Sequence, residues 1–341
     1  MNPNESVLTP NDPAGNPEAV PKARSAYSRS ILNLLFYALF GQILVIAAVS
    51  VFELITKREP QGTVYYLIHF IPMYLIAFPL YLLLSKPMES FPPEKHSLSV
   101  GQFICSFLIS IGLGVIGAFI GLIVTVVIGL FTGYDTGTHV LEEGLSSEGA
   151  TLLTLIASLA APVVEEMLFR KILIDRIRKY GEGTAIFLSG FLFGLFHGNF
   201  SQFFFAAMLG MFFAFIYIRN GKIHYTILLH CIINTLSTAI AGPIVSKLDM
   251  DPERILEAVN NMDMDFLHQY IPLVIYMLCY YGAALAGLIL LLIYRRQLKV
   301  APPAVRLPKG TQFRTACINL GFVLFILFCI AMFVITALQN G

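Results

Sequence analysis

The sequence predicts an all-α fold: a polytopic helical membrane protein with about nine transmembrane helices, its N-terminus inside and its C-terminus outside. Three observations carry that prediction. First, the 341 residues are 57% hydrophobic and only 13% charged, with a mean hydropathy of +0.75. A soluble domain carries about 25% charged residues, so charge this sparse cannot cover a water-facing surface, and a soluble globular enzyme is excluded. Second, long apolar runs alternate with short clusters of Lys, Arg, Asp and Glu, as repeated membrane crossing requires. Third, with the N-terminus placed inside and the runs alternated, 18 of the 22 Lys and Arg residues fall on the inner side, as the positive-inside bias demands.

The elements follow in order. Residues 1–29 are polar, rich in Pro and Asn, and end in Lys22, Arg24 and Arg29; they read as a disordered cytoplasmic tail. The run from Ile31 to Ile55 is too long for a signal-peptide core and reads as an uncleaved first span. Further runs lie near 64–84, 101–131, 151–169, 184–197, 201–218, 224–242, 271–293 and 316–338. A span needs about 20 helical residues, so the 101–131 run is over-long and the 184–197 run is short. The chain divides into N-terminal helices at 30–150, a central block at 151–242, and an acidic outside loop followed by C-terminal helices at 243–341. The outside loop 132–150 has four carboxylates and no Lys or Arg, and Pro252–Met262 reads as a short interfacial helix. The linker 294–315 is basic and Pro-containing, and reads as a solvated segment facing anionic lipid. Five cysteines, all in apolar runs without paired spacing, read as packing residues. With no Trp, the interfacial aromatics are Tyr and Phe, and Tyr217 and Tyr225 are assigned there.

Ionisable groups at bilayer depth are costly and mark function. Among 21 carboxylates, only Glu165 and Glu166 lie well inside an apolar run, in Ala161-Pro-Val-Val-Glu165-Glu166-Met-Leu-Phe-Arg170. Residues four apart share a helix face, so Glu166 meets Arg170 as an ion pair, while Glu165 points about 100° away and is free to face a polar cavity. Phe193-Gly-Leu-Phe-His197 sets an aromatic ring one turn before an imidazole, and Gly190, Gly194 and Gly198 form a small-residue stripe for close helix approach. His230-Cys-Ile-Ile-Asn234 sets an imidazole and an amide one turn apart. Each motif alone has a structural explanation; their succession on three helices points to one site. His69 and His224 lack partners at useful spacing and read as structural. Depth adds a constraint. His197 would lie about 20 Å into the membrane, so Glu165 reaches it only if the fourth helix continues to about Lys179, with Arg170 held inside the bundle.

The three motifs, EExxxR, FxxxH and HxxxN, resemble those of the CPBP family (CAAX proteases and bacteriocin-processing enzymes, also called ABI). The resemblance covers about 151–240, making 151–242 a CPBP-like catalytic core. It implies an intramembrane endopeptidase in the cell membrane, with its site in a cavity open to the cytosol. Carried over residue by residue, Glu165 activates water with help from His197, His230 and Asn234 stabilise the oxyanion, and Glu166, Arg170 and Phe193 support them. The implied substrate is a hydrophobic or lipid-modified peptide, with membrane lipid as surroundings and no nucleic acid. Bacterial members of the family are linked to bacteriocin processing and immunity, and the alternative function is a non-proteolytic immunity or scaffold protein that keeps the protease fold. The cofactor is none or Zn: Glu165, His197 and His230 are the ligands available to a metalloprotease, but the HExxH helix is absent. The metal-free glutamate reading is preferred.

Overall fold

The computed structural model describes residues 15–132 and 152–339. The outside loop assigned beyond Thr132 and the first 14 residues of the expected tail lie outside the described residues. The described residues have non-helical connections at 89–99 and 298–310 and a helix at each of the nine apolar runs. These are α1 (Ala19–Thr56), α2 (Gly62–Ser85), α3 (Val100–Thr132), α4 (residues 152–177), α5 (Glu182–Phe196), α6 (Phe200–Asn220), α7 (His224–Val245), α10 (Ile271–Tyr294) and α12 (Leu320–Gln339), with short helices α8 (Pro252–Asn260), α9 (Met264–His268) and α11 (Gln312–Cys317) in the connections. Among the described residues, six helical segments are long and apolar enough to cross a membrane: α1, α2, α3, α6, α7 and the α9–α10 stretch.

The two runs of awkward length have different outcomes. The long one forms a single unbroken helix of 33 residues, about 50 Å at 1.5 Å per residue. The short one, α5, is only 15 residues, about 22 Å. It is packed inside the bundle, with Leu188, Ser189 and Leu192 fully buried. It therefore has no lipid-facing length to match.

The tail assigned to 1–29 is corrected by the structure over its described C-terminal part. Helix α1 begins at Ala19, and Ala19, Ala23 and Tyr27 face inward in the core. Local polarity misled the reading, because the partners are distant in sequence: Tyr27 packs on Tyr180 with ring centroids 5.9 Å apart, and the Gly321 N–H donates to Ser28 Oγ at 3.0 Å.

The bundle is organised around a hairpin of α5 on α6, closed by a turn at residues 197–199. The glycine stripe makes this contact: a Cβ on Gly190 would lie 2.4 Å from the Met211 backbone nitrogen, and one on Gly194 would lie 2.7 Å from the Phe203 carbonyl oxygen. Helix α3 packs between α6 and α10, and α1 packs against α12, α2 and the end of α4. One apolar core joins α1, α2, α4, α5, α6 and α12, and a second joins α3, α6 and α7. The outer surface is apolar as well: Leu54, Ile55, Leu130 and Leu278 are all exposed, the pattern of a lipid-facing exterior. The short helix expected near residue 252 is α8, capped by the Asp251 side chain, which accepts from the Glu253 N–H at 3.0 Å.

Candidate active site

Helix α4 changes geometry at the motif. Leu152–Glu166 is regular α-helix; Met167–Ile172 widens into a π turn, where the Leu173 N–H reaches the Leu168 carbonyl five residues back; Leu173–Ile177 is α-helical again. Such insertions recur at functional sites. A widened turn strands carbonyls, and buried carbonyls need donors. The buried Ser189 hydroxyl of α5 donates to the Phe169 carbonyl at 2.8 Å, and Arg176 Nη1 donates to the Ile172 carbonyl at 2.9 Å. Helix α4 then runs on through a 3₁₀ turn at Arg178–Tyr180, and Arg170 is fully buried in the bundle, as the depth constraint required.

Glu166 and Arg170 are both without exposure, and Arg170 Nε lies 3.1 Å from Glu166 Oε2. The contact is ionic rather than an aligned hydrogen bond, and the guanidinium finds no hydrogen-bond partner among the described residues. Aromatic faces take its charge instead: the Arg170 Cζ sits 4.4 Å from the Phe193 ring centroid and 5.8 Å from that of Phe213. Cation–π contacts of this kind strengthen when desolvated.

His230, from α7, connects the two carboxylates. Its Nδ1 is 3.1 Å from Glu166 Oε1, and its Nε2 is 3.6 Å from Glu165 Oε2. Since Glu166 is a pure acceptor when ionised, Nδ1 carries the proton and Nε2 turns to Glu165. The Glu165 side chain is 19% exposed while that of Glu166 is 0%. Adjacent residues thus present one partly exposed and one sealed carboxylate, a 100° rotation on one helix.

His197 lies at the C-terminal end of α5. Its Nδ1 is 2.8 Å from the Phe193 carbonyl, an acceptor, so the proton sits on Nδ1 and Nε2 is left as a lone pair. Among the described residues, the imidazole in contact with Glu165 is that of His230. Asn234 lies one turn beyond His230, half-buried, and its amide makes no hydrogen bond to a described residue. A π turn at Leu236–Ala241 begins two residues later.

Phe193 is more central than its sequence spacing suggested. Its ring meets His197 at 4.8 Å and His230 at 5.7 Å, both nearly perpendicular, and Phe169 at 5.2 Å, besides carrying Arg170. One aromatic side chain therefore fixes members of all three motifs. Sequence reasoning missed Phe213, Thr226, Tyr37 and Tyr74. The Thr226 hydroxyl is shared between the Ile223 carbonyl, at 3.0 Å, and Glu166. Tyr37 of α1 stacks on Phe196 of α5, next to His197, with ring centroids 6.1 Å apart, and Tyr74 lines a cavity that reaches Val164 and is in a third π turn, Ile71–Ala77. The only local signal was polar aromatics in apolar runs, which names no partner. Tyr217 is a correction of another kind: it is fully buried, and its hydroxyl donates to Asp175 Oδ1 at 2.7 Å, beside the Lys171–Asp175 ion pair at 2.6 Å. It locks α6 to the end of α4 instead of standing at the interface.

Among the described residues, no three His, Cys, Asp or Glu side chains are grouped to hold a metal ion. Of Glu165, His197 and His230, the ligands open to Zn on the sequence, both imidazoles spend Nδ1 on an acceptor and keep Nε2 free, and among the described residues only His230 and Glu165 are in contact.

Fold and site together define a multi-pass membrane protein with a buried carboxylate–imidazole network among helices α4, α5 and α7. Comparison with known proteins finds likenesses over part of the chain. Residues 147–236 match the family model described as "Type II CAAX prenyl endopeptidase Rce1-like". Over 92 residues the chain is 29% identical to "Putative membrane peptidase YdiL" of Bacillus subtilis (strain 168), a match that covers 26% of this chain and 36% of that protein. The chain thus spans little more than a third of the length of that relative. No solved structure matches. The matched segment contains all three motifs, and the likeness is confined to that segment.

Proposed function

We propose that the protein is an intramembrane endopeptidase that hydrolyses a peptide bond in a hydrophobic or lipid-modified peptide. The observation that carries this reading is the division between Glu165, half-buried and able to touch water, and Glu166, sealed in an ion pair with Arg170. A general base must reach both water and substrate, and of the two carboxylates Glu165 is the one with exposed side-chain surface. Water donates a proton to the Glu165 carboxylate as its oxygen attacks the carbonyl carbon. The Asn234 amide is the neutral donor placed for the resulting oxyanion. When the C–N bond breaks, the proton held by Glu165 passes to the leaving amine. His230 Nε2, an acceptor beside Glu165, takes a hydrogen bond from Glu165 while Glu165 holds the proton, and His197 Nε2 is the second acceptor available to the water. Glu166, Arg170 and Phe193 hold these groups in place.

The substrate class rests on a cavity of about 540 Å³ lined by Tyr66, Phe70 and Tyr74 of α2 and by Ala160, Val163 and Val164 of α4. It is apolar, it reaches the residue before Glu165, and its volume is that of a ligand pocket. In the membrane we place nine spans, with the N-terminus inside and the C-terminus outside. Thiol labelling from each face, of cysteines introduced at Lys57 and Lys309, tests that topology.

Comparative peptidomics of cells carrying the wild type and Glu165→Ala tests the function: peptides whose processing disappears in the variant are substrates. A cellular phenotype that survives Glu165→Ala would establish the non-proteolytic immunity or scaffold alternative instead. On substrates found this way, Glu165→Gln is expected to lower kcat by about 10²–10⁴ with little change in KM, and a chelator is expected to leave cleavage by purified protein unchanged.

A further inference from the structure

A second cavity, of about 510 Å³, opens where α1, the end of α4 and the segment after α2 meet; Lys22, Arg29, Arg176 and Lys179 converge on it, against one carboxylate, Glu89. From this convergence we infer a binding site for a phosphate-bearing anionic group at the level of the lipid headgroups. Three features support it. The first is unspent charge. Lys22 and Arg29 are exposed and form no ion pair among the described residues. Arg176 gives three of its five N–H donors to carbonyls, Nε and Nη2 to Ser85 at 3.1 and 2.7 Å and Nη1 to Ile172 at 2.9 Å, so it is held in place with two donors left over, and the neighbouring Asp175 is paired with Lys171. Only Lys179 has an acidic partner in the lining, Glu89.

The second is position. Helix α1 has 38 residues, about 57 Å, against a hydrocarbon thickness of about 30 Å. Its strongly exposed apolar side chains, Ile43, Ile46, Leu54 and Ile55, lie in the C-terminal half, so the excess length falls at the N-terminal end, where Lys22 and Arg29 are. The cavity also adjoins the last residues of α2. It therefore stands at the membrane edge, where basic pockets between helices bind anionic headgroups.

The third is chemistry. A guanidinium fixed by three carbonyl contacts and flanked by the exposed Lys22 ammonium and Arg29 guanidinium suits a phosphate oxygen cluster. Ser25 and Tyr180 in the lining supply neutral hydroxyls. The site is independent of the proposed hydrolysis, since Arg176 lies eleven residues past Glu165 on the same helix, about 16 Å away.

The test uses the full chain in neutral detergent, with dioleoylphosphatidylglycerol, dioleoylphosphatidylcholine and soluble glycerol 3-phosphate as probes, and bound lipid read by native mass spectrometry. The wild type is expected to retain phosphatidylglycerol and not phosphatidylcholine. The double variant Lys22→Gln, Arg29→Gln is expected to lose about thirtyfold in phosphatidylglycerol affinity, the effect of two basic residues at an anionic surface. Displacement of the lipid by glycerol 3-phosphate would assign the site to a free phosphate; resistance to displacement would assign it to the lipid. Unchanged phosphatidylglycerol retention in the double variant, or equal retention of both lipids by the wild type, overturns the inference. Both substituted side chains are exposed, and the single variant Lys22→Gln gives a second reading should the double variant fail to fold.

Discussion

Arg170→Met is the sharpest probe of the sealed half of the site. The wild-type guanidinium is fully buried, 3.1 Å from the Glu166 carboxylate and 4.4 Å from the Phe193 ring centroid. At an effective dielectric constant of about 20, a charge pair at this separation is worth about 5 kcal/mol. A desolvated cation–π contact adds about 2 kcal/mol. Methionine recovers some of the packing but none of the charge, leaving the Glu166 carboxylate with His230 and Thr226 alone. The expected loss of stability is therefore about 3–5 kcal/mol, the range for breaking a buried ion pair. Adding Glu166→Gln removes the uncompensated charge, and the double variant should return to within about 2 kcal/mol of wild type. Equilibrium unfolding in mixed micelles titrated with SDS reads both values. A loss below about 1 kcal/mol for Arg170→Met, or a double variant as unstable as the two single losses combined, would refute the claim that the pair is buried and mutually dependent.

Other positions give independent checks. Ser189→Ala strands the Phe169 carbonyl in the π turn and should cost about 1–3 kcal/mol in the same titration, although the side chain lost is small. Gly190→Ala drives a Cβ to 2.4 Å from the Met211 backbone nitrogen, so α5 and α6 must separate, at an expected cost of about 1–3 kcal/mol. Glu182→Gln weakens a clasp in which one carboxylate holds Arg178 at 3.3 Å, Arg219 at 2.7 Å and the Ala301 N–H at 2.7 Å; limited proteolysis should then cut the 298–311 linker faster than in the wild type, with cleavage elsewhere unchanged.

What the sequence determined by itself was whatever depends on composition and near neighbours. Sparse charge and long apolar runs fixed the membrane class and put a helix at each run, because the cost of bringing polar backbone into lipid leaves a helix as the local solution. The i, i+4 spacing fixed the Glu166–Arg170 pair, since both partners lie on one turn of one helix. The motifs named Glu165, His197, His230 and Asn234 by residue type.

The tertiary structure decided where those residues turn. His230, rather than His197, makes the direct contact with Glu165, because that choice depends on how α7 crosses α4 beside a π turn, and the π turn needs Ser189 from a third helix to satisfy it. Helix α1 starts at Ala19, because its polar-looking first turns are covered by residues from α12 and the end of α4. Tyr217 is buried because Asp175, 42 positions away, offers it a carboxylate. In each case the deciding partner is remote along the chain, and burial, charge pairing and helix crossing are set by side chains that local periodicity does not encode.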